Sequence, residues 1–252
     1  MLMKLTIEKS QLLEILQKVQ SIVGQRSTLP ILSNVLLEAE KGKLTFTTTD
    51  MEVSLCASIE ADIKKDGSTT LPARRFFSIC RDLPSHQVEL NLDTNKDGGE
   101  TVTIISGAFK GKLGGLSKDD FPPMPKFEES FSYSIGQAIL KDIFQKTSYA
   151  ASSDESRAIL NGSLMSFHDD KLTVVATDGR RLALVEQDID VPEDAGLDVV
   201  IPTKTISELI KSLGDEGDVD IKMSSTQIAF EFNNILIISK LIDGTYPNYK
   251  QV

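Results

Sequence analysis

Residues Ile7–Lys18 read IEKSQLLEILQK, and residues Ile135–Lys146 read IGQAILKDIFQK, an offset of 128. Working outward, Lys43-Leu44-Thr45 returns as Lys171-Leu172-Thr173, and Thr49-Asp50 returns as Thr177-Asp178, both at the same 128. Leu71-Pro72 matches Ile201-Pro202 at 130, and Leu116 with Phe121-Pro122 matches Leu241 with Tyr246-Pro247 at 125. The order never breaks. Solenoid repeats run at ~20–50 residues, so a period this long is a whole domain. A duplicated domain points to a repeated surface more readily than to one catalytic centre.

A chain of 252 residues accommodates two domains of ~100–150 residues, each able to bury its own core. The repeat places them at 1–125 and 126–252, and the three prolines of Pro122 to Glu129 (PPMPKFEE) suit the linker. No stretch approaches the ~18 apolar residues of a membrane span, and MLMKLTIEKS lacks the apolar region of a signal peptide. Cys56 and Cys80 sit in apolar patterns without CxxC spacing, which predicts reduced core thiols and a cytoplasmic protein. The sequon at Asn161 has no meaning without secretion.

Leu12, Leu13, Leu16, Val19 and Val23 recur at helical spacing and predict an amphipathic helix over roughly Lys9 to Ile22. Its twin spans roughly Gln137 to Tyr149, with Ser134-x-x-Gln137 reading as a capping box. Pro72 and Pro202 open the second helix of each copy, where a missing N–H costs nothing. There Phe76, Ile79, Cys80 and Leu83 keep the spacing of Ile206, Leu209, Ile210 and Leu213. Val53, Leu55, Ala57 and Ile59 alternate with polar neighbours as in a half-buried strand, and so do Val88-Leu90-Leu92 and Ile228-Phe230-Phe232. Turn signals lie at Asn95 to Gly99, Glu193 to Gly196, Gly214 to Gly217 and Asp243-Gly244. Strand clusters with two helices per copy predict an α+β fold of two tandem repeated domains, each with two helices packed on antiparallel sheets.

The net charge of −10 speaks against a polyanion partner until it is sorted by element. The four helical segments hold nine basic residues (Lys9, Lys18, Arg74, Arg75, Arg81, Lys141, Lys146, Lys204, Lys211) against four acids (Glu14, Asp82, Asp142, Glu208), which leaves −15 on the rest. Slightly basic helices on an acidic body suit a protein that holds a polyanion on one face and repels it from the others. The plainer reading is that lysine and arginine are common on helix surfaces, and charge statistics alone do not separate the two.

Five stretches carry a resemblance: STLPILSNVLL (Ser27 to Leu37), TTLPARRFFSICRDLP (Thr69 to Pro84), DDFPPMP (Asp119 to Pro125), VVATDGRRLAL (Val174 to Leu184) and SKLIDGTYPNYKQV (Ser239 to Val252). Together they resemble the bacterial DNA polymerase III beta subunit family, the sliding clamps, over essentially the whole chain. The resemblance implies the first two of three DNA-clamp domains, the third C-terminal domain being absent from this chain. It implies helices lining a hole and sheets forming an outer wall. The implied function is a processivity factor that encircles duplex DNA without sequence preference, slides, and tethers polymerase III, the clamp loader, other polymerases and repair proteins. No catalysis, cofactor, metal or membrane is implied.

The resemblance also assigns residues. Arg26, Arg74 and Arg75 match the DNA-contacting region, together with the loop Ser152 to Ile159, in which Ala158 and Ile159 stand where members can carry aromatics and Arg157 offers charge in place of stacking. Leu160, Thr177, Gly179, Arg181, Leu182, Pro247 and Val252 match a hydrophobic pocket for partner peptides. Phe109, Gly111 and Leu113, in the edge segment Ser106 to Leu113, match the head-to-tail ring interface. Without a third domain the chain is expected to be largely monomeric, although three two-domain copies would also make a six-domain ring. Two other classes compete with this reading. An enzyme would need its carboxylate pairs (Asp169-Asp170, Asp188-x-Asp190, Asp218-x-Asp220) to be more than acidic turns, and neither His86 nor His168 has metal-ligand spacing. A two-domain scaffold would bind replication partners without forming a DNA-encircling ring.

Overall fold

The computed structural model describes residues 2–23, 29–94, 99–127, 131–154, 156–190 and 197–251. Arg26, Val252, the turn at Glu193 to Gly196 and most of that at Asn95 to Gly99 lie outside the described residues. The chain divides into two compact units, Met1–Pro125 with Asn234–Leu236, and Lys126–Asn233 with Ile237–Val252.

In the first unit the order is β1 (Met3–Glu8), α1 (Lys9–Ile22), β2 (Asn34–Glu40), β3 (Lys43–Thr49), β4 (Val53–Glu60), β5 (Asp62–Lys65), β6 (Gly67–Pro72), α2 (Ala73–Arg81), β7 (Gln87–Thr94), β8 (Glu100–Ser106) and β9 (Phe109–Gly115). The second runs β10 (Phe131–Gly136), α3 (Gln137–Thr147), β11 (Gly162–His168), β12 (Lys171–Thr177), β13 (Leu182–Asp188), β14 (Leu197–Pro202), α4 (Thr203–Ser212), β15 (Asp218–Met223), β16 (Gln227–Phe232) and β17 (Ile235–Lys240). Strand neighbours repeat with the sequence. The order β1-β7-β8-β9 returns as β10-β15-β16-β17, and β4-β3-β2-β6 returns as β13-β12-β11-β14. The pairings are antiparallel, as the recurring strand alternation predicts. Only β5, paired outside β1, has no counterpart among the described residues.

Each helix forms because its apolar positions fall on one stripe that a sheet can cover. α1 buries Leu12, Ile15, Leu16, Val19 and Ile22 and shows Gln11, Glu14 and Gln17 to solvent. Each such side chain removed from water contributes about 1.5–3 kcal/mol. α1 packs on β3, β4 and α2, and α3 packs on β12, β13 and α4.

Two expected helix starts differ from what is found. Ser134 lies within β10, and α3 is entered through Gly136 with no side-chain cap. Gln137 does not reach back as a capping-box partner because it is fully buried. Its Oε1 accepts from Gly214 N at 2.9 Å and Asn233 Nδ2 at 3.3 Å, and its Nε2 donates to Asp218 O at 3.3 Å. A buried amide with these partners serves the turn below the helix instead of the helix itself. Pro72 and Pro202 end strands and stand one position before the first helical residue, with extended ψ of 107° and 139°. Their fixed φ serves the strand-to-helix switch.

The Thr-Asp pair of the repeat builds the same turn twice. Thr49 Oγ1 accepts from Met51 N at 3.0 Å, and Asp50 Oδ1 accepts from Glu52 N at 3.0 Å and Val53 N at 2.8 Å. Thr177 Oγ1 accepts from Gly179 N at 3.0 Å, and Asp178 Oδ1 from Arg180 N at 2.9 Å and Arg181 N at 3.1 Å. The third residue is left-handed in both, φ +77° at Met51 and +85° at Gly179. A side chain in that region costs about 1–3 kcal/mol, partly offset by glycine's larger loss of freedom on folding. Met51→Gly is therefore expected to stabilise the protein by about 1 kcal/mol and Gly179→Ala to destabilise it by a similar amount. Opposite shifts of the urea midpoint at unchanged slope are the check.

Candidate functional site

The second unit carries a groove between a sheet and the segment that follows it. α3 covers one face of β13-β12-β11-β14. On the other, register aligns Leu164 with Val175 and Val200, and Ser166 with Thr173 and Asp198. After β17 the chain crosses this face. Ile242 N donates to Val200 O at 2.9 Å, and Tyr246 Oη accepts from Thr177 N at 3.1 Å. Gly162 lets the crossing segment approach, since a Cβ there would lie 2.8 Å from Ile242 Cδ1 and 2.6 Å from Ile201 O. Between strap and sheet lies an open groove of about 1010 Å³. Leu164 and Val200 line its floor together with Leu182, Tyr246 and Tyr249, and the buried cluster beneath them includes Val175, against which Ile159 and Ile242 pack. The far end is polar, with His168 paired to Asp198 at 3.1 Å and Lys171 to Glu186 at 3.3 Å.

The Thr177 turn joins this groove to an arginine-rich rim. Thr177 Oγ1 donates to Arg181 O at 2.6 Å, and Asp178 Oδ2 accepts from Arg181 Nε at 3.0 Å. The Arg180 and Arg181 N–H groups hold the Asp178 carboxyl below the usual range. The Arg181 guanidinium sits 5.9 Å from the ring centre of exposed Tyr149, and Arg157 Nη1 donates to Asp178 O at 3.4 Å.

The expected pocket residues are therefore only partly together. Leu182 and Pro247 line the groove. Thr177 meets it through Tyr246, while Gly179 and Arg181 form the rim turn. Leu160 stands apart in a 3₁₀ turn, its carbonyl accepting from Ser152 N at 2.8 Å. Its neighbour Ile159, assigned to DNA by resemblance, packs on the buried cluster of Leu164, Val175 and Val200 beneath the groove. Tyr246, Tyr249 and Ile242 belong to the site without having been singled out. The signal for Tyr246 was present in its repeat match to Phe121.

The helices keep their positive surplus for a structural reason. Their four acids are each taken by a helical base: Glu14 by Lys18, Asp82 by Arg81, Asp142 by Lys146 and Glu208 by Lys211. Lys9, Arg74, Arg75, Lys141 and Lys204 remain as the excess. Lys9 Nζ donates to Leu83 O at 2.6 Å, Arg74 Nη2 donates to Val23 O at 3.1 Å, and Lys141 pairs with Asp215 at 3.2 Å. Arg74 and Arg75 part company, since Arg75 lines a shallow depression with Ile79, Leu83 and Phe109. Arg157 and Ala158 are exposed.

Strand β9 is the outer strand of its sheet. The Phe109 ring lies over Gly111, where a Cβ would come within 2.7 Å of it. Leu113, expected at the ring interface, is 3% exposed and belongs to the core. Period two explains this, because Phe109, Gly111 and Leu113 share the inward face and only the strand end leaves it uncovered. Asp169 and Asp170 occupy the hairpin between β11 and β12 at φ +53° and +56°, a turn role that aspartate tolerates.

Two copies of one α+β unit, the second with an open groove that is apolar at one end and polar at the other, define a tandem-repeat protein. The family model described as DNA polymerase III beta subunit, N-terminal domain, matches residues 3–125, and that for the central domain matches residues 134–248. The beta sliding clamp of Chlamydia muridarum is 36% identical over 250 residues, covering 99% of this chain and 67% of that protein. That of Bacillus subtilis is 37% identical over 256 residues, covering 98% and 66%. The crystal structure of the B. subtilis DNA polymerase sliding clamp superposes with a TM-score of 0.93 at 35% identity, over 100% of this chain and 67% of that one. A Pseudomonas aeruginosa sliding clamp bound to griselimycin gives 0.92 at 33%, over 99% and 67%. The chain belongs to the DNA polymerase III beta subunit family, the beta sliding clamps, which are non-catalytic processivity factors. It spans about two thirds of the length of the curated relatives it matches, and 59% of the Chlamydia trachomatis one. Among the described residues, no helix is long and apolar enough to cross a membrane.

Burial raises the Tyr246 hydroxyl to about 12, against the smaller opposing effect of the Thr177 N–H. A raised folded value means stability that is complete below the unfolded value near 10 and lost as pH rises through the folded one. Absorbance of tyrosinate is expected to show a tyrosine that ionises at higher pH than a free one and is lost in Tyr246→Phe. That variant leaves Thr177 N unsatisfied and is expected to cost about 1–3 kcal/mol at neutral pH.

Proposed function

We propose that this chain works as the clamp of the bacterial replicative polymerase: it encircles duplex DNA as part of a ring, slides, and tethers its partners through the second unit's groove. The observation that carries this reading is the groove whose apolar end is walled by Leu182, Tyr246 and Pro247 beside the arginine turn. An aliphatic or aromatic anchor buried there supplies about 1.5–3 kcal/mol, and the rim arginines can meet a carboxylate or carbonyl on the same peptide. The polymerase III catalytic subunit, the clamp loader and other polymerases and repair proteins are the proposed partners.

Contact with DNA is assigned to Arg74 and the helical surplus, with Arg26 and Arg157 as further candidates. Phosphates carry no sequence information, so such contacts let the protein slide. A surplus this small suits it: strong binding would act as a brake, and retention comes from encirclement. The Phe109 edge is the candidate ring contact.

Leu182→Asp is expected to weaken binding of the polymerase III catalytic subunit at least ~10-fold, by the loss of one buried apolar contact. Fluorescence anisotropy with labelled partner is the measurement, and unchanged affinity would remove the groove from the function. Arg74→Ala is expected to leave partner affinity intact and to lower the salt slope of duplex binding by about 0.9.

A further inference from the structure

The groove is duplicated along with everything else. In the first unit the segment after β9 also bonds to the outer strand of its sheet, Leu116 N donating to Thr70 O at 3.1 Å and Thr70 N to Leu116 O at 3.0 Å. It then makes a 3₁₀ turn, Lys118–Asp120, and lays Phe121 on the sheet face, where that ring is 7% exposed. A cavity of about 370 Å³ remains between Leu36 and Thr47 on the sheet and Phe121, Pro122 and Met124 on the strap. Leu36 and Thr47 are a cross-strand pair, and so are their counterparts 128 residues on, Leu164 and Val175, of which Leu164 lines the second groove. Phe121-Pro122 stands where Tyr246-Pro247 walls that groove.

What differs is where the charge lies: the second groove keeps Asp169, Glu186 and Asp198 at its far end, away from the Tyr246-Pro247 wall. Glu38 replaces Ser166 on the sheet, and Asp119 and Asp120 replace Gly244 and Thr245 on the strap. Lys118 is the cation in this lining. It meets Glu38 at 3.9 Å with both side chains about half exposed, a loose contact that another cation can replace at little cost. An acidic lip over an apolar floor rejects nucleic acid and fits a peptide whose apolar anchor is flanked by positive charge.

We propose that this face of the first unit is a second docking site, which takes an extended peptide with an aliphatic or aromatic anchor beside lysine or arginine. The proposal rests on the second unit's groove being a peptide site, because that groove is what is repeated. The test is a methyl NMR titration of the full chain with two synthetic ten-residue peptides. Both carry the same leucine and phenylalanine anchors, one flanked by lysines and the other by glutamates.

The lysine peptide is expected to shift Leu36 and Met124, with the glutamate peptide at least ~10-fold weaker there. Glu38→Lys is expected to weaken the lysine peptide at Leu36 and Met124 by about 10-fold while leaving shifts at Leu164 and Leu182 unchanged. Shifts at Leu164 and Leu182 alone would overturn the second site and leave the first groove standing. Shifts at Leu36 and Met124 alone would remove the other groove's role and overturn the proposal as a repeat of that groove. Equal response to both peptides would overturn the stated occupant, and silence at both grooves would overturn both readings.

Discussion

Each helix of this protein survives by burying one apolar stripe on a sheet, and the sheet survives because the helices cover one of its faces. Isolated helices of this length are marginal in water, and short strands need a partner layer. Once Leu12, Leu16 and Val19 are committed to β3 and β4, the opposite face of that sheet is left without a helix. The same holds for α3 on β12 and β13. The strap that follows each repeat is what covers that second face, and it covers it incompletely. A groove therefore follows from the layer count of each unit and not from any single residue.

Duplication then separates shared scaffold from assigned chemistry. Both units spend a threonine and an aspartate on the same turn, but only the second places arginines after it, with Tyr149 below one of them. Both lay an aromatic-proline pair on the sheet, but only the second has a hydroxyl to bond Thr177. The first instead surrounds its smaller groove with Glu38 and Asp119. Charge on the helices follows the same logic. Pairing within the helices takes up all four acids, and the helices still hold more bases than acids in a chain that is otherwise acidic.

Much of the fold was legible because the decisive signals are local. α1 begins and ends where its spacing predicts, and β4 starts at Val53 as the alternation predicts. Capping was harder to read. Ser134 and Gln137 have capping-box spacing, yet Gln137 is drawn away by Gly214 and Asn233, which lie over seventy residues further along. The groove was legible in part. Leu182 and Pro247 line it as their likeness in sequence suggests, while Ile159 packs on the buried cluster beneath it and its neighbour Leu160 does not, because a 3₁₀ turn sends neighbouring side chains to different surroundings. Leu113 was assigned to an edge and faces the core, since a strand at the edge of a sheet still has one inward face.

By itself the sequence determined the repeat, the element types and the family, since these rest on periodicity, turn residues and motifs that need no knowledge of distant contacts. Tertiary structure alone decided which residues meet. It brought Tyr246 to the amide of Thr177, made room beside Gly162 for Ile242, and set Glu38 across from Lys118. The physical reason is that register and the path of a strap bring together residues far apart in the chain. Nothing local records which side chain will stand opposite another once the layers close.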